Sequence, residues 1–278
     1  MPYNVSWESA VIPAGDHEVP ARVYRSGSGA AGPVGVAGSS APGVLVWAHG
    51  GSWHSGAVAE WHPALAHLAS LTGATVVGVD YRLAPAHPHP APLADVLAAV
   101  AWADERAGGA PVVVGGDSAG ATLAASAALV RRDAGLPLAG QVLAYPPIDP
   151  ACRAASYHRD PGAFPRRTDL AAAWRAYRGG RGTGGGPGRG GAGYSTPAEA
   201  TDVAGVAPAV LVVGALDPVV DDVRAYAHAL VAAGVSVTLH ELPGVGHGAF
   251  LGSPEFRRRV GVAYEEIRDV RQFDGSAR

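Results

Sequence analysis

Gly116-Asp117-Ser118-Ala119-Gly120 sets a serine between two glycines in the pattern G-x-S-x-G. A serine hydroxyl is a poor nucleophile alone: it needs a base to take its proton and an acid to orient that base. Residues 112–115 read as a strand and 119–132 as a helix, the setting a nucleophile elbow requires. So sharp a turn leaves no room for side chains two residues either side of the serine, hence the glycines. It also exposes the hydroxyl and aims the first amides of the helix at a developing oxyanion.

Asp217 follows an expected strand at 210–213, and His247 follows another at 235–239. The chain order is therefore Ser, Asp, His, the order expected downstream of such an elbow. His240 is the rival base, but it falls within or at the end of a strand, where it points into packing or solvent. Histidines 54, 62, 67, 87, 89, 158 and 228 lack the loop position. His49-Gly50-Gly51-Ser52-Trp53 follows the run 44–48, and its adjacent glycines leave backbone N–H groups unobstructed, as an oxyanion hole requires. Ser52, Trp53 and Asp117 are candidates to line the substrate pocket, with Asp117 also placed to brace the elbow. Asp221 and Asp222 read as helix N-terminal carboxylates.

Every one of the 21 basic residues is arginine. The absence of lysine excludes a Schiff-base lysine, a phosphate-loop lysine and a Ser–Lys dyad. Cys152 is the only cysteine, which excludes an intrachain disulfide and a thiolate-rich metal site. The histidines at 87 and 89 lie in Pro-rich sequence without a carboxylate pattern, so no metal is expected. A net charge of −3 gives no reason to expect a nucleic-acid partner. The opening residues lack a basic region followed by an apolar stretch, and no uncharged run is long enough for a membrane span, so a cytoplasmic protein is expected.

These side chains need a scaffold, and the hydrophobic pattern describes one. After a hairpin at about 5–25 and a Gly/Ala/Ser/Pro-rich connector at 26–43, short β-branched runs at 44–48, 75–79, 112–115, 141–145, 210–213 and 235–239 read as buried strands. Between them lie helical stripes, Leu93/Val96/Leu97/Val100/Ala101 and Val223/Tyr226/Ala227/Leu230/Val231, the second ended by Gly234. The alternation predicts a single α/β domain over 1–278: a mostly parallel, doubly wound sheet with helices on both faces and its ligand site at the carboxyl ends of the strands. Residues 146–207 break the rhythm, with a short helix at about 168–178 and ten glycines among residues 179–193. They are read as a small lid insertion, at about 150–205, over the site. The Arg-rich segment at 256–259 is read as a solvated helix face in preference to an interface.

Taken together, His49-Gly50-Gly51, Asp80-Tyr81-Arg82-Leu83-Ala84-Pro85, Gly116-Asp117-Ser118-Ala119-Gly120, Asp217-Pro218 with Asp221, and His247-Gly248 resemble the hormone-sensitive-lipase-like branch of the α/β-hydrolases, which includes many bacterial carboxylesterases. The match runs from about 44 to 265 and is weak at about 150–193. The resemblance implies Ser118, Asp217 and His247 as catalytic triad and the amides of Gly50, Gly51 and Ala119 as oxyanion hole. It also implies acyl-enzyme chemistry without a cofactor. Three departures stand out: Ser52 replaces a usual third glycine, Ala86 replaces a usual acidic residue, and the section before His49 is short, leaving a reduced N-terminal cap.

The expected function is hydrolysis of short- to medium-chain carboxylic esters, with a small-molecule ester as partner; a homodimer is compatible with the sequence. The alternative is a biosynthetic enzyme using the same serine for acyl transfer, amide or formamide cleavage, or product release and cyclisation. A non-catalytic ligand-binding relative is the reading from another class, and the intact Ser118, Asp217 and His247 argue against it.

Overall fold

The computed structural model describes residues 4–27, 43–136, 138–179 and 193–275. Most of the connector at 26–43 and of the Gly-rich run at 179–193 lies outside the described residues. The hairpin is β1 (Val5–Ala14) and β2 (His17–Ser26). The runs that follow become β3 (Val44–Ala48), β4 (Thr75–Val79), β5 (Val112–Asp117), β6 (Gly140–Ala144), β7 (Ala209–Gly214) and β8 (Val237–Leu242). The strands form one sheet in the order β1-β2-β4-β3-β5-β6-β7-β8, antiparallel from β1 to β4 and parallel thereafter.

β3, β5, β6 and β7 are buried along their whole length, as continuous Val/Leu/Ala runs require when both faces are covered. The helices doing the covering are α1 (Val58–Thr72), α2 (Ala91–Arg106), α3 (Ala119–Asp133), α6 (Val220–Ala232) and α8 (Pro254–Gly275), with α1 packed on α8 and α2 on α3. β8 differs from expectation in place and environment: it starts two residues later than expected and is only partly buried, because it is the sheet's last strand with one free edge.

The insertion contains α4 (Ser156–Arg159), α5 (Arg167–Tyr177) and a 3₁₀ turn at Pro197–Glu199. Its described parts are firmly docked. Asp222 accepts hydrogen bonds from the amides of Ile148 and Asp149 and from the Tyr157 hydroxyl, at 2.7–2.9 Å. Asp221 accepts from the Ser156 amide. Both carboxylates open α6, as the dipole reading requires, but their main partners belong to the insertion. Farther along, Arg178 bridges to Glu199 and donates to Ser195, and Thr196 donates to the Ile148 carbonyl. The short helix α7 (Ala249–Gly252) follows His247. Among the described residues no helix is long and apolar enough to cross a membrane.

Candidate active site

Ser118 sits in the one-residue gap between β5 and α3 with φ 51° and ψ −122°, a backbone shape rare for a residue with a side chain. What holds it there is close packing that only glycine allows. A Cβ on Gly116 would meet the Ala48 carbonyl at 2.6 Å, and one on Gly120 would meet it at 2.0 Å. The two glycines therefore let the elbow nest against the end of β3, where the loop at 49–53 begins. Ser118 donates its own amide to the Ala144 carbonyl at the end of β6.

His247 and Asp217 arrive from the loops after β8 and β7. Gly214 makes their meeting possible: a Cβ there would lie 2.1 Å from the Val245 carbonyl, so only a glycine lets the two loops touch. Ala215 and Leu216 then donate to the carbonyls of Leu242 and Val245. In the result, Ser118 Oγ lies 2.9 Å from His247 Nε2, and His247 Nδ1 lies 2.8 and 3.0 Å from the two oxygens of Asp217. Asp217 is fully buried and also accepts from the Val219 amide. Since a carboxylate only accepts, the imidazole proton belongs on Nδ1, which leaves Nε2 free to take the serine proton. Hydroxyl, imidazole and carboxylate in this series can activate an oxygen nucleophile. His240 is elsewhere, bound to Glu266 on α8 at 2.9 Å.

In the loop at 49–53, Gly51, Ser52 and Trp53 all have positive φ (107°, 53° and 61°), so the chain there winds in a left-handed sense. The amides of Gly51, Ser52 and Ala119 have no acceptor among the described residues. The Asp117 carboxylate lies against Gly50, its Oδ2 2.7 Å from where a Cβ there would stand. Ser52 joins the expected Gly50, Gly51 and Ala119 as a candidate amide donor. Above this loop the His49 imidazole stacks on Tyr81 and donates from Nδ1 to the Gly50 carbonyl at 2.6 Å. Burial holds its pKa below the ordinary histidine range and keeps it neutral. Tyr81 donates to the His49 carbonyl, which gives the Asp-Tyr-Arg stretch its place in the site.

Two expected pocket residues lie behind the site's wall. Trp53 is fully buried, its ring stacked on Tyr177 and tilted against Trp174, so it fastens the loop to α5 of the insertion. Asp117 is buried beneath the loop, where its Oδ1 accepts from the indoles of Trp47 at 3.1 Å and Trp61 at 2.9 Å. Burial pushes its pKa up to about 7 against the pull of those hydrogen bonds. Ser52 keeps partial exposure.

Several contributors have no motif in the sequence. Tyr145, at the end of β6 with φ 41°, lays its ring 4.7 Å from that of His247 and accepts from the Phe250 amide. Arg257 is not part of a solvated face: it is buried, donates to His67 and holds the carbonyls of Phe250 and Leu251 at 2.7 and 2.8 Å. The Phe164 ring stands 5.7 Å from the His247 ring, yet Phe164 is 70% exposed. Leu216, beside Asp217, and Leu251, four residues after His247, are 61% and 43% exposed. Three large apolar side chains thus lie on the segments that bear or meet the base and acid.

Known proteins resemble this chain in sequence and fold. Residues 45–251 match the family described as alpha/beta hydrolase fold. The carboxylic ester hydrolase LipN of Mycobacterium tuberculosis is 35% identical over 270 residues, which cover 85% of this chain. The chain spans only 62% of LipN's own length. Among solved structures, a bacterial heroin esterase superposes with TM-score 0.81 at 33% identity, covering 96% of this chain and 84% of that one. An esterase of the bacterial hormone-sensitive lipase family does so with TM-score 0.78 at 27% identity, covering 97% and 86%. With the elbow, the loop at 49–53 and the order Ser118, Asp217, His247 all in place, the chain belongs to the α/β-hydrolase fold family, in its hormone-sensitive-lipase-like branch.

Proposed function

We propose that this protein hydrolyses carboxylic esters through an acyl-enzyme on Ser118. The observation that carries the reading is the unbroken series Ser118 Oγ, His247, Asp217 at 2.9 and 2.8 Å, standing beside three unpaired amides. His247 takes the serine proton as Oγ attacks the ester carbonyl. The amides of Gly51, Ser52 and Ala119 receive the oxyanion, and Asp217 stabilises the imidazolium. His247 then gives its proton to the leaving alcohol, and water, activated by the same imidazole, releases the acid.

The insertion serves as a lid on the alcohol side in this reading. It is tied to the acid's helix through Asp221 and Asp222 and to the oxyanion loop through Trp53, and between these anchors it brings Phe164 to the base. Phe164, Leu216 and Leu251 form an apolar rim where the leaving group would depart, which suits esters of apolar alcohols. The names of its relatives, an ester hydrolase and a heroin esterase, agree with this chemistry.

The test is turnover of p-nitrophenyl acetate, butyrate, octanoate and laurate by wild type and Ser118→Ala. Activity highest on the shorter acyl chains and lost in the variant is expected. A folded wild type that neither hydrolyses these esters nor is labelled by a fluorophosphonate would refute the reading. Labelling without ester turnover would instead favour acyl transfer or another biosynthetic outcome from the same serine.

A further inference from the structure

Asp117 lies buried against Gly50 of the oxyanion loop, and its hydrogen bonds come from donors in two different parts of the fold. Trp47 reaches it from β3 and Trp61 from α1, both to Oδ1. On the other side, a Cβ on Gly50 would lie 2.7 Å from Oδ2, so the oxyanion loop rests directly against the same carboxylate. An ionised carboxylate has about four acceptor positions, and the two indoles occupy those of Oδ1. The group is buried without an ion pair among the described residues, an arrangement that costs stability unless something else requires it.

We propose that Asp117 is a positioning residue for catalysis, one carboxylate that is held by the indoles of Trp47 and Trp61 and seats the oxyanion loop at Gly50. The proposal rests on Ser118 being the nucleophile, as argued above. Ionised, Asp117 accepts from both indoles. Protonated, it accepts more weakly and turns one acceptor position into a donor, which loosens the seat under the loop. The titratable groups around it are the His247 imidazole and the hydroxyls of Tyr145 and Tyr81. With burial raising its pKa to about 7, the loss would fall near neutrality. The acid limb of the rate would then contain two protonations, that of the base and that of its positioner.

The experiment measures kcat, KM and the rate of fluorophosphonate labelling from pH 5 to 9 for wild type, Asp117→Asn and Trp61→Phe, each with its melting temperature. In wild type, log kcat/KM should steepen below neutrality to a slope of about two. Asp117→Asn should lower kcat by about 100-fold, the worth of one oxyanion donor, with KM changed less than about threefold. Its acid limb should return to a slope of about one. Trp61→Phe removes a single donor from the carboxylate and should move the limb to higher pH by about half a unit. Turnover of Asp117→Asn within about threefold of wild type, with the acid limb unchanged, would overturn the proposal. So would a Trp61→Phe limb that stays in place, and that variant decides alone if Asp117→Asn fails to fold. Labelling rates carry the same comparison without ester turnover. A wild type that labels but hydrolyses no ester refutes the esterase reading while still deciding on Asp117; one that does neither refutes both.

Discussion

On its oxyanion side, Ser118 is walled by buried side chains held from several directions, whereas the ring that meets His247 on the other side, Phe164, is 70% exposed. His49, Trp53, Tyr81 and Asp117 are almost without exposure, and each bonds to or stacks on a second element. Phe164, Leu216 and Leu251 are largely exposed. The difference separates two demands on one site. Amides that stabilise a transition state must not move when charge develops, so they are set in packed protein. Groups that select a substrate need only offer surface, and can stand in solvent until it arrives.

The largest effect should come from the residues shared by both sides. Ser118→Ala should cut kcat by about 10⁶-fold with little change in melting temperature, since the loss is of a nucleophile and not of packing. Asp217→Asn should follow at about 10⁴-fold, because an amide can donate to Nδ1 and favour the wrong imidazole tautomer. Rates measured on p-nitrophenyl acetate check both. A small loss in Asp217→Asn would mean that the buried carboxylate is not what orients His247.

The open side predicts a different kind of change. Phe164→Ala should leave methyl and ethyl esters within about twofold, and should lower kcat/KM for benzyl or octyl esters by about tenfold, or about 1.4 kcal/mol of lost apolar contact. Competition between ethyl and benzyl butyrate measures this directly, with the acyl group held constant. Equal losses on both alcohols would remove Phe164 from the selecting surface and leave it as a prop for His247.

The two sides were not equally legible in the sequence. The elbow, the order of Ser118, Asp217 and His247, and the buried strands were readable because each rests on local necessity: a turn that excludes side chains, or a run of apolar residues with no polar face. What escaped depends on partners far apart in the chain. Trp47 and Trp61 meet Asp117 across 70 and 56 residues, and no spacing announces a carboxylate chosen to receive indoles. Arg257 looked solvated for the same reason, since His67 lies 190 residues away. Adjacent glycines identify a loop able to offer amides, but which of those amides faces inward depends on what lies beneath the loop, here Asp117. Phe164 gave no signal, because one aromatic in a weakly patterned insertion looks like any other.

Ser52 offers the smallest effect and the sharpest question about the oxyanion side. Its φ of 53° places a residue with a side chain where glycine is favoured, at a cost of about 1 kcal/mol. Ser52→Gly should relieve that strain but free the unfolded chain by a similar amount, so the melting temperature should move by only a few degrees. If only the backbone N–H of Ser52 faces the oxyanion, turnover of the acetate ester should stay within about threefold, because the variant keeps that N–H. A loss nearer 100-fold would assign the donor to the hydroxyl, which is the one group the substitution removes.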